Sequence, residues 1–106
     1  MNITRHNGDD GEVRLALAGE LELATVDQLR QHVKQELTAS RPPARLLADL
    51  AEVTFCDSTG LGALLASRTD AADHDISFQV INASGMTRRI MQATGLLEIL
   101  TGRASD

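Results

Sequence analysis

The hydrophobic positions of the chain change spacing several times, and each change predicts a new element. Residues 12–18 alternate between apolar and polar, a period of two that is typical of a half-buried strand. Gly19 is expected to end this strand, and the segment GELELAT is expected to connect it to a helix. Residues 2–5 predict a short edge strand, because the turn-forming residues 7–11 lead back from it.

A helical spacing begins at Thr25. Thr25 and Gln28 have the spacing of a capping box, so each side chain is expected to satisfy a backbone N–H at the helix start. One apolar stripe follows at steps of three and four residues: Val26, Leu29, Val33 and Leu37. The polar residues off this stripe are expected to face water: Gln31, Lys34, Gln35 and Glu36. The Pro-Pro pair at 42–43 prevents any continuation of the helix.

Two further strands and a helix are predicted in the middle of the chain. Residues 46–50 form a near-continuous apolar run, which indicates a strand covered on both faces, and Val53 and Phe55 are expected to continue its burial. From Leu61 a second helix is predicted to run to about Asp73, and residues 76–81 predict another buried strand. The expected inward positions of the helix are Leu61, Leu64, Leu65 and Ala72.

The last third of the chain predicts a third helix and a short apolar turn. Ser84 is the expected N-cap and Gly95 the expected C-terminal stop of this helix. Met86, Ile90 and Met91 are expected to point inward, the two methionines as core-filling residues. Residues 96–100 predict a final apolar turn, and residues 101–106 a frayed tail.

Strands that alternate with helices indicate an α/β fold. Right-handed crossovers place such strands in a largely parallel sheet, and the N-terminal hairpin adds an antiparallel edge strand. We therefore expect a single domain over residues 1–106, with about four strands and with helices packed against the sheet. A chain of 106 residues is long enough for its own core.

Composition narrows the classes of partner. The net charge is −5 and no basic cluster exceeds the pair Arg88-Arg89, so nucleic acids and acidic membranes are poor partners. The chain also shows no signal peptide and no apolar stretch near the ~20 residues of a membrane helix. The single cysteine, Cys56, fits a reducing compartment. A cytoplasmic location is expected.

The segment FCDSTGLG, residues 55–62, marks a predicted strand-to-helix junction, where sites gather in open α/β sheets. Asp57, Ser58 and Thr59 all make good N-caps, so a capping role alone is the simplest explanation. Three such residues exceed what one cap needs, however, and Gly60 and Gly62 in a first helical turn cost about 1 kcal/mol each relative to Ala. A phosphate on a hydroxyl here would change the charge of the surface without changing the fold.

Enzyme, metal and nucleotide sites find less support in the residues. A serine nucleophile needs a base, and His6, His32 and His74 all lie outside segments that resemble a catalytic loop. One cysteine and three scattered histidines do not make a metal site. The phosphate-binding loop and the dinucleotide fingerprint are both missing. We therefore expect a protein that is not an enzyme and that has no cofactor and no metal.

The sequence resembles the STAS domains, and particularly the bacterial anti-sigma factor antagonists. DLAEVTFCDSTGLGALL is similar to the family's signature, in which Asp-Ser-Ser/Thr-Gly-Leu-Gly follows a strand. GELELATVDQL resembles the family's Gly-Glu-Leu-Asp segment, and INASGMTRRIMQATGLLEIL resembles its C-terminal part. The similarity covers almost the whole chain in order. One departure is Glu22, where the family usually has Asp, and this longer side chain affects the choice of partner more than its class.

The resemblance implies a phosphorylation-controlled binding protein. Such antagonists bind an anti-sigma factor that is itself a serine kinase and thereby release the sigma factor. The kinase then modifies the serine after the motif aspartate, here Ser58, and a serine phosphatase reverses this. Asp57 would supply charge next to the phosphate, and Thr59 would be a cap. The resemblance places Gly60, Leu61 and Glu22 at or beside the contact surface.

Several alternatives remain open at this stage. STAS domains also serve as fixed structural subunits of lipid-transport or signalling-scaffold complexes, and direct nucleotide binding has some precedent in the family. Cys56 could block the partner surface on oxidation, although a thiol without a nearby cation is not expected to have a lowered pKa. Arg88 and Arg89 could contact an acidic partner, although two arginines on a helix usually form its solvated face. Self-association is left undecided.

Overall fold

The computed structural model describes residues 1–102, and residues 103–106 of the predicted tail lie outside the described part. Four strands and four helices follow each other along the chain. In order they are β1 (Asn2–Asn7), β2 (Glu12–Leu21), α1 (Val26–Leu37), β3 (Arg45–Cys56), α2 (Ser58–Asp73), β4 (Ser77–Ile81), α3 (Gly85–Ala93) and α4 (Leu96–Thr101).

The strands form one four-stranded sheet in the order β1-β2-β3-β4. β1 is antiparallel to β2, whereas β2–β3 and β3–β4 are parallel. β4 accompanies only the first part of β3, because their pairing ends at Asp49 opposite Ile81. Beyond that point β3 pairs with β2 alone, as far as Leu21 opposite Cys56. The predicted α/β fold with an antiparallel N-terminal edge strand is confirmed.

Aliphatic side chains from the sheet and from the helices form one hydrophobic core. The predicted stripe of α1 is buried, and so are Leu15, Leu17 and Val13 from alternate positions of β2. Leu46, Ala48 and Leu50 of β3 meet Phe78 and Val80 of β4 in the same cluster. The chain has only two aromatic residues, and apart from Phe78 and Cys56 this core consists of Leu, Val, Ala, Ile and Met.

Gly19 does not end β2 as the sequence predicted; the strand continues to Leu21. Gly19 has a φ of +114°, and the pairing with β3 shifts register between Gly19 and Glu20. The extra residue lies in β3, because Thr54 stands between Val53 and Phe55, the partners of Gly19 and Glu20. Gly19 adopts its positive φ opposite this bulge without a steric penalty. With this bulge, β2 pairs with the far half of β3 as far as Cys56, directly before the DSTG motif, residues 57–60.

Three expectations about exposure are wrong. Glu36 was expected to face water, but it is 7% exposed and its Oε2 accepts a hydrogen bond from Arg5 Nε of β1 at 2.6 Å. Phe55 was expected to be buried but is 46% exposed, because Val53 and Cys56 take the inward positions at this end of β3. Ala72 of α2 is also exposed, and Ser67 and Ala71 are buried instead.

The helices after β4 match the prediction in position and differ in one inward residue. Met91 is fully buried, but Met86 is 64% exposed and Thr87 is buried in its place. Ser84 is the N-cap residue of α3 but makes no side-chain capping hydrogen bond. Gly95, with a φ of +76°, separates α3 from α4, as expected of a helix stop. The predicted final apolar turn is the helix α4.

On the sheet face opposite the core, Asp49 of β3 forms hydrogen bonds with Arg14 of β2 and with Asn82, the residue after β4. Its Oδ2 accepts a hydrogen bond from Arg14 Nη1 at 2.9 Å, and its Oδ1 accepts from Ala51 N at 3.0 Å and Asn82 Nδ2 at 3.1 Å. Burial disfavours the charged carboxylate, but these hydrogen bonds and the Arg14 charge outweigh it, so the pKa of Asp49 lies below its ordinary value.

The N-terminus lies at the same end of the sheet as the carboxyl ends of the parallel strands. Asn2 pairs with Ala18 near the end of β2, and Met1 packs beside Gly19. This placement follows from the antiparallel direction of β1.

Candidate functional site

The DSTG motif lies at the carboxyl end of β3, beside the end of β2. Leu21 of β2 is opposite Cys56 of β3, and the Asp57 N–H donates to the Leu21 carbonyl oxygen at 3.3 Å. The loop that contains Glu22 therefore begins next to Asp57. The structure brings this loop and the motif together, as expected for the carboxyl ends of neighbouring parallel strands.

Asp57 is the N-cap of α2. Its backbone is extended, with φ −96° and ψ −174°, and its Oδ1 accepts a hydrogen bond from the Gly60 N–H at 2.9 Å. Its carbonyl oxygen accepts the first intrahelical bond, from Leu61 N at 3.0 Å. Thr59, which the sequence suggested as the cap, lies within the helix instead. Asp57 is the stronger capping choice because its charge also interacts favourably with the helix dipole.

Ser58 and Thr59 are the first two residues inside α2, and both are exposed. Asp57 next to them is half-buried. The hydroxyl of Ser58 is therefore accessible to a second protein, while the carboxylate beside it is held in place by the cap hydrogen bond.

Gly60 and Leu61 were expected at the contact surface, but both are buried. A Cβ on Gly60 would overlap the Leu21 carbonyl oxygen and would lie 2.9 Å from Cys56 Sγ. The absence of a side chain at residue 60 thus lets α2 approach the end of β2. Gly62 faces open space, since a Cβ at this residue would have no other atom within 4 Å. Of the two glycines, Gly62 is the one that leaves room at the surface.

Cys56 is buried directly below the motif and is 3% exposed. Burial, together with the negative charge of Asp57, raises the pKa of its thiol to about 11. The thiol donates weakly to the Asp57 carbonyl oxygen, with sulfur and oxygen 3.6 Å apart. The expectation that this pKa is not lowered is confirmed, and the thiol packs as a small apolar group.

Thr25 organises the loop before α1 in a way that the capping-box prediction missed. Its Oγ1 donates to the Glu20 carbonyl oxygen at 2.7 Å and accepts from the Glu22 N–H at 3.0 Å. It makes no side-chain hydrogen bond to the helix that follows. Glu22 is half-buried, and Leu23 after it is 75% exposed. This hydroxyl holds the loop against the end of β2.

Leu23 and Phe55 are exposed apolar residues near the motif in sequence, and the hydrophobic spacing did not predict their exposure. Phe55 belonged to a run that was interpreted as buried, and Leu23 to a loop without periodicity. A spacing of three between Val53 and Cys56, which departs from the strand period of two, is the signal that could have revealed the exposure of Phe55.

Other chemistries find no support in the described part of the chain. Among residues 1–102 no group of three His, Cys, Asp or Glu side chains is placed to hold a metal ion. His6 pairs with Arg14, about 23 Å along β2 from Leu21, and His74 follows the far end of α2. No helix among the described residues has the length and hydrophobicity needed to span a bilayer.

A family model described as "Mlab, STAS domain" matches residues 4–101. The chain belongs to the STAS domain family. Its sequence has no significant match among curated proteins.

Solved structures share the fold of this STAS domain. An anti-sigma factor antagonist from Mycobacterium paratuberculosis has 29% identity and a TM-score of 0.75, with 93% of this chain and 83% of that chain covered. SpoIIAA, an anti-sigma factor antagonist, in its unphosphorylated form has 20% identity and a TM-score of 0.77, with 99% and 90% covered. The phosphorylated form of the Bacillus protein SpoIIAA has 20% identity and a TM-score of 0.71, with 99% of this chain and 93% of that chain covered. A sulfate transporter family protein from Wolinella succinogenes has 15% identity and a TM-score of 0.75, with 92% of this chain and 77% of that chain covered.

Proposed function

We propose that this STAS domain is an anti-sigma factor antagonist that is switched off by phosphorylation of Ser58. In its unphosphorylated form it binds an anti-sigma factor that is a serine kinase, and the sigma factor is released. Phosphorylation ends this binding and a serine phosphatase restores it. The protein acts by binding rather than by catalysis, and it acts in the cytoplasm, where sigma factors work.

The observation that carries the proposal is the arrangement of Asp57 and Ser58 at the start of α2. Ser58 is exposed, so a kinase can reach its hydroxyl. The cap of the helix is made by Asp57 and not by Ser58. A phosphate on Ser58 therefore leaves the capping hydrogen bond in place, and the fold persists in both states of the switch.

Asp57 also determines how the surface changes on phosphorylation. A phosphoserine carries a charge of about −1.5 to −2 at neutral pH. A free helix N-terminus would attract the new phosphate. Here the Asp57 carboxylate already accepts a hydrogen bond from the Gly60 N–H, so its fixed negative charge repels the phosphate instead. The phosphate is therefore directed outward, towards the partner.

The comparisons support the proposal at the level of the family and the fold. The 29% identical structure is described as an anti-sigma factor antagonist, and SpoIIAA is described in unphosphorylated and phosphorylated forms. The intact Asp57-Ser58-Thr59-Gly60-Leu61-Gly62 sequence extends this support to the residues of the site.

The direct test is to incubate the protein with ATP and each purified serine kinase of the anti-sigma class from its own cell, and to map phosphate by mass spectrometry. We expect one phosphate, on Ser58, and none in Ser58→Ala. Thr59→Ala is the matched control, since Thr59 is the neighbouring exposed hydroxyl, and it should be modified as the wild type is. Phosphate on Thr59, or on neither residue, contradicts the proposal.

The switch itself is tested by affinity. Ser58→Glu places a charge beside Asp57 and is expected to weaken the kinase complex at least about tenfold, because a like charge and an unpaired anion enter the interface. Isothermal calorimetry or biolayer interferometry measures this change. Equal affinity of wild type and Ser58→Glu would show that charge is not the off-signal.

A second candidate function is a fixed structural subunit of a lipid-transport or signalling-scaffold complex. It is favoured by the description of the matching family model, which is Mlab, and by the fold shared with a sulfate transporter family protein. In this case the motif would only cap α2 and pack against its partner. Ser58→Ala and Ser58→Glu would then bind the partner equally, and transporter genes rather than kinase or sigma factor genes would neighbour this one.

A further inference from the structure

Two large apolar side chains are exposed in the two segments that meet at the strand ends next to Ser58. Leu23 is 75% exposed, two residues after the end of β2, and Phe55 is 46% exposed, three residues before Ser58. The pairing of Glu20 with Phe55 places the two segments side by side. Single exposed apolar residues are ordinary on protein surfaces, but here two belong to neighbouring segments at the end of the sheet where α2 and the exposed Ser58 begin. We call this pair the Leu23–Phe55 patch.

Acidic residues are the close sequence neighbours of both members of the Leu23–Phe55 patch. Glu20 and Glu22 precede Leu23, and Glu52 and Asp57 lie on either side of Phe55. Residues 18–25 and 50–59 contain no lysine, arginine or histidine. The chain as a whole has a net charge of −5, and these four carboxylates all lie within three positions of Leu23 or Phe55.

This charge pattern discriminates among possible occupants of the patch. A second copy of the chain would bring two such sets of carboxylates together, and like charges in an interface are strongly unfavourable. Nucleic acid and anionic lipid would be repelled for the same reason. A protein surface with an apolar pocket and basic side chains around it matches both the apolar centre and the acidic surroundings.

We propose that Leu23 and Phe55 insert into an apolar pocket on the partner kinase, and that lysine and arginine side chains around this pocket pair with Glu20 and Glu22. The inference rests on the proposed function, because it describes the surface that recognises the same partner. It assigns binding energy to two residues outside the DSTG motif.

The patch also explains why a phosphate on Ser58 would end the interaction. Closing an apolar contact removes water from the neighbouring surface, so the phosphate would lose hydration without gaining a partner inside the pocket. The basic side chains do not compensate, since they face Glu20 and Glu22 at the border of the patch. Desolvation and the neighbouring Asp57 charge therefore act in the same direction.

The test compares Leu23→Gln and Phe55→Thr with Met86→Gln in binding to the serine kinases of the anti-sigma class. Met86 is the matched control because it is 64% exposed but lies in the first turn of α3, after the shorter strand β4. We expect Leu23→Gln and Phe55→Thr each to weaken binding about tenfold or more, and Met86→Gln to change it less than twofold. Glu20→Lys should weaken binding and reduce its dependence on salt. All four variants replace exposed residues, and unchanged thermal unfolding verifies their folds.

The results separate the inference from the proposed function. If the kinase binds and Ser58 is modified, but Leu23→Gln and Phe55→Thr bind like the wild type, the patch is wrong and the switch stands. Stronger binding by Glu20→Lys also overturns the patch, because it would indicate an acidic partner.

If no kinase binds the wild type, the proposed function fails, and the patch fails with it because it is assigned to the same partner. Where a kinase binds, photo-crosslinking locates the contact on that kinase. A benzophenone amino acid is placed at residue 23, 55 or, as control, 86 of the full chain, which is then irradiated in lysate of its own cell. Crosslinks from 23 and 55, but not from 86, to one segment of that kinase that contains both apolar and basic residues support the patch. Crosslinks to a second copy, to lipid, to nucleic acid or to an acidic segment overturn it, as does the lack of any crosslink.

Discussion

Gly60 and Gly62 occupy the same turn of α2, yet their surroundings predict opposite effects on stability when each is replaced by alanine. A Cβ at residue 60 would overlap the Leu21 carbonyl oxygen and would lie 2.9 Å from Cys56 Sγ and 3.0 Å from Leu21 Cγ. A Cβ at residue 62 would meet nothing within 4 Å. The two substitutions are therefore chemically identical and differ only in packing.

The expected magnitudes follow from helix propensity and from overpacking. Replacing glycine by alanine in a helix stabilises it by about 0.5–1 kcal/mol, and Gly62→Ala is expected to show this gain. Gly60→Ala has the same gain, but inserting a methyl group into a packed site costs about 1–3 kcal/mol. The upper end applies because the Leu21 carbonyl oxygen is backbone, which cannot rotate away and which accepts a hydrogen bond from Asp57 N. A net loss of about 2 kcal/mol is expected, still within the range for core overpacking.

Urea denaturation followed by circular dichroism measures both changes, with the wild type as reference. The free energies of unfolding of the two variants should differ by about 3 kcal/mol, which corresponds to a difference in Tm of roughly 10–20 °C. The reasoning is refuted if Gly60→Ala is as stable as the wild type, because the close approach of α2 to the end of β2 would then not require glycine. A loss of stability in Gly62→Ala would refute the propensity argument.

Two further predictions concern the N-cap of α2 and the buried carboxylate of Asp49. Asp57→Ala should lower the free energy of unfolding by about 1 kcal/mol, because it removes the capping hydrogen bond to Gly60 N. Ser84→Ala removes no capping hydrogen bond and should be nearly neutral. Equal losses of the two variants in urea denaturation would contradict this. Because the pKa of Asp49 is lowered in the folded state, its charge contributes stability above pH 4 that is lost as the pH falls through the folded-state pKa. Asp49→Asn should cost about 1–2 kcal/mol at pH 7, because the charged hydrogen bond from Arg14 is lost. It should also reduce the fall in stability below pH 4, and an unchanged acid limb would contradict the assignment.

The order of elements could be predicted from the sequence because each hydrophobic spacing is local. The stripe of α1 and the alternation of β2 each repeat within one segment, so no knowledge of distant residues is needed to recognise them. The position of the motif at the start of α2 followed in the same way, from a strand pattern that changes to a helical one. The capping residue did not, because Asp57, Ser58 and Thr59 have similar capping preferences and only the backbone geometry selects among them.

The errors arose where contacts come from distant parts of the chain. Glu36 is buried because Arg5 of β1, 31 positions away, supplies a hydrogen bond and an opposite charge. Phe55 is exposed because the extra residue Thr54 in β3 shifts the inward positions from Val53 to Cys56. The role of Gly60 likewise depends on Leu21 of another strand. Local spacing contains no information on the contacts of Glu36 and Gly60.

The antiparallel direction of β1 has a consequence for any polypeptide joined ahead of Met1. Because Met1 packs beside Gly19, three residues before Glu22, such a segment would emerge within a few residues' reach of the loop that flanks Ser58. A tethered module there would experience this surface at an effective concentration set by its linker, in the millimolar range for a short flexible one. An affinity tag or fused domain at the N-terminus would thus compete with partners for access, whereas one attached after α4 would start elsewhere on the molecule.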